Sequence, residues 1–220
     1  MTTHLGDPAP APASGRTHGR WYAGPVPERH HAGGFVFTRL RAAHAPLDHA
    51  ALMASVDYLR RWSDSEWPAD DFTVAENRAE LAWHDEEHGA RIAFTYSVQD
   101  VEQSRVLGCL YVRPLRDMLL TRGVELPAGP SWPGSDTPCA RGWLRRDEPA
   151  EVERRFLNEV LTWLTGPAWA FSSLWWVSVS TDARQLELLD ELAWSRELRA
   201  PGTRKDVDWV LRTPQVRPSS

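Results

Sequence analysis

The chain has 220 residues, 42% of them hydrophobic, which is enough for one domain of ordinary size with a sizeable core. Acidic and basic residues are interspersed around a formal net charge of −5, and the lack of a basic block argues against a nucleic-acid partner. No apolar run reaches the roughly 18 residues that a membrane span needs, so no membrane association is predicted. Two cysteines and an N-terminus without an apolar leader indicate a cytoplasmic protein.

The N-terminal segment is rich in proline, alanine, glycine and histidine. Such a segment buries too little apolar surface to offset the entropy of ordering it, so residues 1–33 are predicted to be a disordered tail. His30 and His31 lie in this tail and give no argument for a metal site. One domain is predicted over residues 34–214, followed by a flexible C-terminus over 215–220.

The first two predicted elements of the domain are a strand and a helix. Alternating apolar residues predict the strand over residues 34–41. Leu52, Val56 and Leu59 recur at helical spacing and predict a single helix over residues 46–62.

A capping-box pattern opens the next element. The hydroxyl of Thr73 can accept from the amide of Glu76 while the glutamate reaches back, which predicts a helix from here to about residue 88. Alternating residues over 92–98 and 106–112 then predict a β-hairpin. Residues 115–138 are rich in proline and glycine and are predicted to form a long loop, either a functional lid or an incidental surface insertion.

The last part of the chain alternates strands and helices. A strand is predicted over residues 139–145, and Asp147, Glu148 and Pro149 are typical of a helix start with proline in the first turn. The remaining predicted elements are that helix with an apolar face from Val152 to Leu164, a strand over 171–179, a helix over 183–193, and strands over 195–199 and 207–211.

This order of elements resembles the GNAT superfamily of acetyltransferases over almost the whole chain after the tail. The segment Leu188 to Trp194 looks like the family's Leu-Tyr-Glu-Lys-Leu-Gly-Phe ending, and the hairpin over residues 90–115 looks like the ribosomal-protein N-acetyltransferase branch. The resemblance implies an α/β (α+β) fold. Its central sheet would be mixed and mostly antiparallel, with a splayed pair of parallel strands and helices on both faces.

The resemblance also implies a binding site for acetyl-CoA as co-substrate. The two splayed strands would be residues 139–145 and 171–179, and a backbone amide near Leu144 or Arg145 would hold the thioester oxygen. The pyrophosphate would lie on the N-terminus of the helix that starts near Pro149, where free amides and the helix dipole favour anions. The implied cofactor-binding residues are Leu144, Arg145, Arg146, Pro149, Ala150, Glu151 and Asp182.

The chain departs from the family at the pyrophosphate loop. The usual signature is Gln or Arg, two residues, Gly, one residue, then Gly or Ala; residues 146–151 match only its arginine, Arg146. Pro149 and Glu151 stand at the two small-residue positions. Proline removes an amide, and the acids of this loop would oppose a diphosphate electrostatically. The alternative is that these acids only cap the helix and complement its dipole.

A proton acceptor for the attacking amine is also needed. The family's frequent tyrosine is replaced here by Leu189, and Asp182 stands where the family often has an asparagine that contacts pantetheine. The candidates for the acceptor are Asp182, Tyr111 and Tyr96. Each also has a structural explanation, since Asp182 can cap a helix and the tyrosines can pack on the sheet.

Two further constellations are weaker. His84 to His88 matches the His-x-x-Glu-His pattern of a zinc-peptidase class, but no third ligand is identifiable, so no metal is predicted. Cys109 has no histidine placed beside it and is expected to be a small buried residue.

Two functions therefore remain open. The first is acetyl-CoA-dependent acyl transfer to a primary amine, on a small molecule or a peptide N-terminus. The second is a non-catalytic GNAT-fold binding protein that has lost the pyrophosphate site. The chain has 12 tryptophans, and any that are exposed could form a homodimer interface.

Overall fold

The computed structural model describes residues 21–120, 133–134, 136–194 and 196–214. The strands β1 to β8 span Arg29–Ala32, Phe35–Arg39, Phe94–Gln99, Val106–Pro114, Pro138–Leu144, Trp175–Val179, Arg196–Pro201 and Asp208–Thr213. The helices α1 to α6 span Ala45–Met53, Val56–Ser63, Val74–Ala90, Leu115–Leu120, Ala150–Thr165 and Ala183–Glu191. A 3-10 helix, Ala42–His44, precedes α1.

All eight strands form one mixed sheet in the order β1-β2-β3-β4-β5-β6-β8-β7. Neighbouring strands run antiparallel except β5 and β6, which are parallel. Helices cover both faces of the sheet. Phe156 of α5 and Leu188 of α6 pack in the cluster on one face, whereas Leu52 of α1 and Leu81 of α3 pack in the cluster that includes Trp143 on the other face. This architecture confirms the predicted fold class.

The N-terminal prediction is wrong for residues 21–33. β1 pairs antiparallel with β2, and the chain before it packs against the main core. The Tyr22 hydroxyl donates to the Trp169 carbonyl at 2.8 Å, and the guanidinium of Arg91 donates to the carbonyls of Tyr22 and Gly24 at 3.0 and 2.8 Å. A few aromatic anchors and a short edge strand thus order a segment whose average composition is that of a disordered chain. Residues 1–20 and 215–220 lie outside the described residues.

The helix predicted over residues 46–62 is two helices. Ser55, between α1 and α2, leaves the helical region with φ −135° and ψ 20°. Leu52 in α1 and Leu59 in α2 still pack in the same core cluster, so the spacing that predicted one helix is kept across the break. By contrast, the Thr73 capping box is present as predicted, because the Thr73 hydroxyl accepts from the Glu76 amide at 3.2 Å and Glu76 accepts from the Thr73 amide at 2.7 Å.

Three other boundaries differ from the predictions. The predicted loop over residues 115–138 begins with α4, whose Leu115 and Leu119 are fully buried, and residues 121–132 and 135 of it lie outside the described residues. The strand predicted over 171–179 starts only at Trp175, because Phe171 belongs to the turn that follows α5. Pro149 is the N-cap of α5 and does not lie in its first turn. Among the helices of the described segments, none is both long and apolar enough to cross a bilayer.

Candidate functional site

The parallel strands β5 and β6 separate after a short contact. They are paired at Cys139–Trp175 and Ala140–Trp176 only, although β5 continues to Leu144. On its other side, β5 is paired with β4 along its whole length, from Pro138 to Leu144. The backbone of β5 after Ala140 therefore faces a gap in the sheet, and its polar groups on that side must find other partners.

Two side chains from opposite faces of the sheet bind the carbonyl of Gly142 in this gap. The indole nitrogen of Trp62, from α2, donates to it at 3.2 Å, and the amide nitrogen of Gln185, from α6, lies 3.4 Å from it. Both side chains are buried. The side-chain oxygen of Gln185 accepts from the Trp176 indole at 2.9 Å and the Ser178 hydroxyl at 2.8 Å, and these two bonds direct its amide nitrogen toward Gly142.

A buried arginine of β5, Arg141, lies beside the gap on the face of the sheet that α2 covers. The guanidinium of Arg141 lies 3.7 Å from the centre of the Trp62 ring and 4.3 Å from the centre of the Trp209 ring. It also donates to the Trp62 carbonyl. Cation–π contacts of this kind gain strength when they are shielded from water, so Arg141 stabilises the position of Trp62 in the gap.

A network of charged side chains lies where the two strands end. The guanidinium of Arg146 donates to Glu153 at 2.8 Å and to Asp182, and it lies 3.7 Å from the centre of the Tyr58 ring. The Tyr58 hydroxyl donates to Asp182 at 3.0 Å, and Arg184 pairs with Glu153 at 2.9 Å. Burial raises the pKa of Glu153, and the two arginines act in the opposite direction. Glu153 is thus held between two guanidinium groups, and Asp182 between one guanidinium and the Tyr58 hydroxyl.

An open cavity of about 250 Å3 lies beside this network. Its lining includes Tyr58 and Trp62 of α2, the end of β6, and the first turn of α6. Three arginines, Arg61, Arg146 and Arg184, also line it. We refer to this space as the arginine cavity. Trp62 lines this cavity and also donates to Gly142, so the cavity adjoins the place where β5 and β6 separate.

The acids of the loop between β5 and α5 are paired with arginines. The guanidinium of Arg145 donates to Asp147 at 2.8 Å, Arg105 donates to Glu148 at 3.0 Å, and Glu151 lies 3.3 Å from the Arg154 guanidinium. The expected repulsion of a diphosphate is therefore offset locally, although these pairs are exposed and weak. The acids that the sequence analysis expected to oppose a diphosphate are thus each beside an arginine.

The backbone of the same loop offers fewer donors than the family signature does. Pro149 has no amide hydrogen, and the Arg145 amide donates to the Leu107 carbonyl at 2.8 Å, so Arg145 does not offer an amide for a thioester oxygen. The amides of Ala150 and Glu151 belong to the first turn of α5, where helix geometry leaves amides without a partner in the helix. The N-terminus of α5 can therefore bind an anionic group such as a diphosphate, but with fewer backbone amides than the family signature provides.

The three predicted proton acceptors are not brought together. The Asp182 carboxylate caps α6 by accepting from the Gln185 amide at 3.3 Å, and it also accepts from Arg146 and Tyr58. These three donors already occupy the carboxylate oxygens of Asp182. Asp182 does line the arginine cavity, so it is at the site, as an organising group.

The two tyrosines lie on opposite faces of the sheet. Tyr111 packs against the Trp62 ring at 5.9 Å, and burial raises its pKa. Tyr96 lies in the core cluster under α5, where its hydroxyl donates to the Pro27 carbonyl at 2.8 Å, and burial raises its pKa as well. Both are therefore neutral hydroxyls, and only Tyr111 is near the gap.

The weaker constellations have structural surroundings. The His84 ring contacts Tyr111, whereas the His88 ring packs against Phe94 and Tyr96, and burial lowers the pKa of His88 to about 4. Across the described ranges, no three histidine, cysteine, aspartate or glutamate side chains are arranged to hold a metal ion. Cys109 is buried, as expected.

Four important residues were missed by sequence reasoning: Trp62, Tyr58, Gln185 and Glu153. Only Glu153 left a signal. Glu153 lies three residues before Phe156 on the same face of α5, so the sequence shows an acid within an otherwise apolar stripe. In the structure its side chain is only 1% exposed. The other three act through contacts with distant elements. Every tryptophan in the described segments is buried or partly buried, so none of them supports the exposed-tryptophan dimer interface.

Solved structures share this architecture. The ribosomal-protein-S5-alanine acetyltransferase from Vibrio fischeri has a TM-score of 0.61 at 14% identity, covering 84% of this chain and 94% of that one. RimL, a ribosomal L7/L12 alpha-N-protein acetyltransferase in complex with coenzyme A, has a TM-score of 0.57 at 12% identity, covering 86% and 97%. A GNAT-family acetyltransferase from Bacillus anthracis has a TM-score of 0.56 at 8% identity, covering 84% and 96%.

The chain therefore has the GNAT fold, as its order of elements predicted, and its structural neighbours include ribosomal-protein N-acetyltransferases. At these identities the likeness defines the fold and leaves the chemistry to the site. No protein-family profile matches the sequence. A search of curated proteins found no match either.

Proposed function

We propose that this chain is an N-acyltransferase that uses acetyl-CoA to acylate a primary amine. The observation that carries the proposal is the separation of β5 and β6 after two residue pairs, with the first turns of α5 and α6 at its mouth. Within a GNAT fold, that gap is what lets the backbone of one strand pair with an extended ligand. Acid–arginine pairing in the β5–α5 loop reduces the electrostatic repulsion that a diphosphate would meet there.

The residues that would hold acetyl-CoA supply mainly backbone groups. The carbonyl of Gly142 is held by side-chain donors at 3.2 and 3.4 Å, distances at the long end of the hydrogen-bond range, so a ligand amide can replace them at small cost. The amides of Ala150 and Glu151 would face the diphosphate. When bound, acetyl-CoA supplies the activated thioester, and the protein's share is to position the amine beside it and exclude water.

Tyr111 and Asp182 have distinct places in this proposal. Tyr111 is a neutral hydroxyl near the gap and is suited to donate a hydrogen bond. Asp182 positions Arg146 and Tyr58 and caps α6. Tyr111 is neutral and the Asp182 oxygens already accept from three donors, so we expect transfer to depend on the fraction of acceptor amine that is already neutral and to rise with pH through the pKa of the amine.

The second candidate is a non-catalytic binding protein. The observation in its favour is that Trp62 and Gln185 fill the gap from both faces, and that the stack of Arg141 between two tryptophans stabilises Trp62 there. If this arrangement is permanent, an extended ligand has no strand edge to pair with. The cavity beside it would still be available to a small molecule.

Isothermal titration with acetyl-CoA, with desulfo-CoA as the control for the thiol end, decides between the two candidates. The acyltransferase proposal predicts saturable binding of both ligands to the unaltered chain. The binding-protein candidate predicts none at millimolar ligand. A Trp62→Ala variant, compared with Trp83→Ala in α3, then tests whether the filled gap is the barrier: acetyl-CoA binding that appears only in Trp62→Ala identifies it as such.

The β5–α5 loop has its own test. Replacing Pro149 and Glu151 by glycine restores an amide and removes an acid at the helix N-terminus, so acetyl-CoA should bind more tightly, by roughly tenfold for one added hydrogen bond. The variant Glu187→Gly, in α6 and outside the loop, controls for the loss of an acidic side chain. An unchanged dissociation constant would mean that the diphosphate does not lie on α5.

A further inference from the structure

We propose that the arginine cavity binds a small oxyanion, the phosphate or carboxylate group of a small molecule, and that Arg61 is its main charged contact. The cavity lies at the ends of β5 and β6, between α2 and α6. This proposal does not depend on acyl transfer, because the features that carry it are the charges and donors of the cavity itself.

The charges around the cavity do not balance. Arg146 and Arg184 are paired with the buried carboxylates of Glu153 and Asp182. Arg61 also lines the cavity, and among the residues the structure describes its guanidinium has neither an ion pair nor a hydrogen bond. When Glu153, which lies behind the lining, is counted with Asp182, the three arginines leave one positive charge in excess, which an anionic ligand would neutralise.

Fixed hydrogen-bond donors accompany that charge. Ala183 and Arg184 line the cavity and form the first turn of α6, a helix of nine residues. The Asp182 side chain caps the amide of Gln185, which leaves the amides of Ala183 and Arg184 as the first-turn groups without a partner inside the helix. The Arg184 side chain is held by Glu153 and by the Glu148 carbonyl at 2.9 Å. Because the side chain is already ordered, little further conformational entropy is lost when a ligand binds beside it.

The dimensions of the cavity limit what it can accept. At about 250 Å3 it is below the range of roughly 300–1,000 Å3 typical of sites for drug-sized ligands. Trp62, Val179 and Ala183 give part of the lining an apolar character. A ligand that places one anionic group at Arg61 and a short apolar part against Trp62 fits both the volume and the chemistry.

Titration with inorganic pyrophosphate, phosphate and acetate at constant ionic strength tests the site. We expect saturable binding of at least one of these probes by the unaltered chain. Arg61→Ala should weaken that binding by roughly tenfold or more, since a charge-assisted hydrogen bond is lost. Arg61 is exposed, so the variant should fold, which a thermal melt checks.

The matched control is Arg78→Ala. Arg78 is an exposed arginine of α3 that lies outside the cavity lining, and its loss changes the net charge equally. Binding should be retained in this variant, and Arg61→Lys should retain part of it. Two results would overturn the proposal: no saturable binding of any probe, or equal affinities in Arg61→Ala and Arg78→Ala.

Competition with acetyl-CoA then identifies the source of the anion. If the probe and acetyl-CoA exclude each other and Arg61→Ala weakens both, the site takes a phosphate of the acyl donor. If the probe binds in the presence of saturating acetyl-CoA, or when acetyl-CoA does not bind at all, the site takes a separate acidic ligand. The second pattern would leave the oxyanion site standing even if acyl transfer were disproved.

Discussion

The two strands beside β5 pair with it over different lengths. β4 pairs with every residue of β5 from Pro138 to Leu144, whereas β6 pairs with Cys139 and Ala140 only. On the β4 side, the backbone groups of β5 are satisfied by the ladder and the side chains by apolar packing. On the β6 side, the Gly142 carbonyl depends on Trp62 and Gln185, and charged residues replace apolar ones near the strand ends.

This difference shows how one strand can serve both stability and binding. Backbone bonds in a continuous ladder are cooperative and are not available to a ligand. Bonds from side chains can be exchanged one at a time, because a ligand that offers its own donor replaces what it displaces. The following predictions test whether the β4 side is as rigid, and the β6 side as exchangeable, as this comparison implies.

The largest effect is expected on the β4 side, from Gly108→Ala. A Cβ atom at Gly108 would lie 1.9 Å from the Trp143 carbonyl oxygen and 2.9 Å from the Leu144 Cα, so the ladder itself would have to move. We expect a loss of more than about 3 kcal/mol in the free energy of unfolding, measured with urea. The control is Gly89→Ala in α3, where the nearest atom would be 3.5 Å away. It should raise stability by about 0.5 kcal/mol, and equal effects of the two variants would contradict the comparison.

The next effect concerns the charges at the β6 side. Glu153→Gln leaves Arg146 and Arg184 with a neutral partner in a buried position, which should lower stability by about 3 kcal/mol. Glu151→Gln, an exposed acid two residues earlier, should change the melting temperature little. A small effect of Glu153→Gln would mean that water solvates this network and that the region is more open than the contacts indicate.

A buried carboxyl on the packed side gives a pH test. Burial raises the pKa of Asp48 from 3.8 to about 6, and the Asn77 amide that donates to it at 3.0 Å acts in the opposite direction. Because folding raises this pKa, the stabilisation is fully present below pH 4 and is lost as pH rises through about 6. Asp48→Asn should therefore nearly match the unaltered chain at pH 4 and exceed its stability at pH 7 by about 3 kcal/mol.

The measurement for Asp48 is urea unfolding of both chains at several pH values. The exposed Asp71→Asn serves as the control and should follow the unaltered chain throughout. A constant difference between Asp48→Asn and the unaltered chain from pH 4 to 7 would show that Asp48 stays ionised in the fold.

The smallest effect on stability is expected in the gap. Trp62→Phe removes the indole donor to Gly142 but keeps an aromatic ring next to Arg141, and Gln185 remains near the same carbonyl. We expect a loss of about 1 kcal/mol together with tighter binding of acetyl-CoA. A larger loss of stability without any change in acetyl-CoA binding would mean that the contact of Trp62 with Gly142 is structural and is not exchanged for a ligand.

Local signals in the sequence predicted most of the elements. The Thr73 capping box, the hairpin of β3 and β4, and the apolar stripe of α5 are confirmed, because each depends on residues a few positions apart. The wrong predictions concern features that residues a few positions apart do not determine. The order of residues 21–33 depends on Trp169 and on pairing with β2. The break at Ser55 interrupts an apolar spacing that a single helix would also satisfy.

The candidate site divides in the same way. The sequence placed Asp182 at a helix start and the loop acids beside α5, since capping and helix dipoles are local effects. The pairing of those acids with Arg145 and Arg105, and the separation of Tyr96 from the gap by a whole sheet, were not visible from spacing. They depend on which strand lies next to which.

By itself, the sequence determined most of the order of strands and helices after residue 34 and the position of the β5–α5 loop, and the fold class followed from the resemblance that this order carries. Hydrophobic periodicity and capping predict the single elements, and both act over one or two turns of chain. Only the tertiary structure decided what occupies the gap beside β5 and that the guanidinium of Arg61 lies at the arginine cavity. Trp62, Gly142 and Gln185 are far apart in sequence, so their meeting follows from the packing of α2 and α6 onto opposite faces of the sheet.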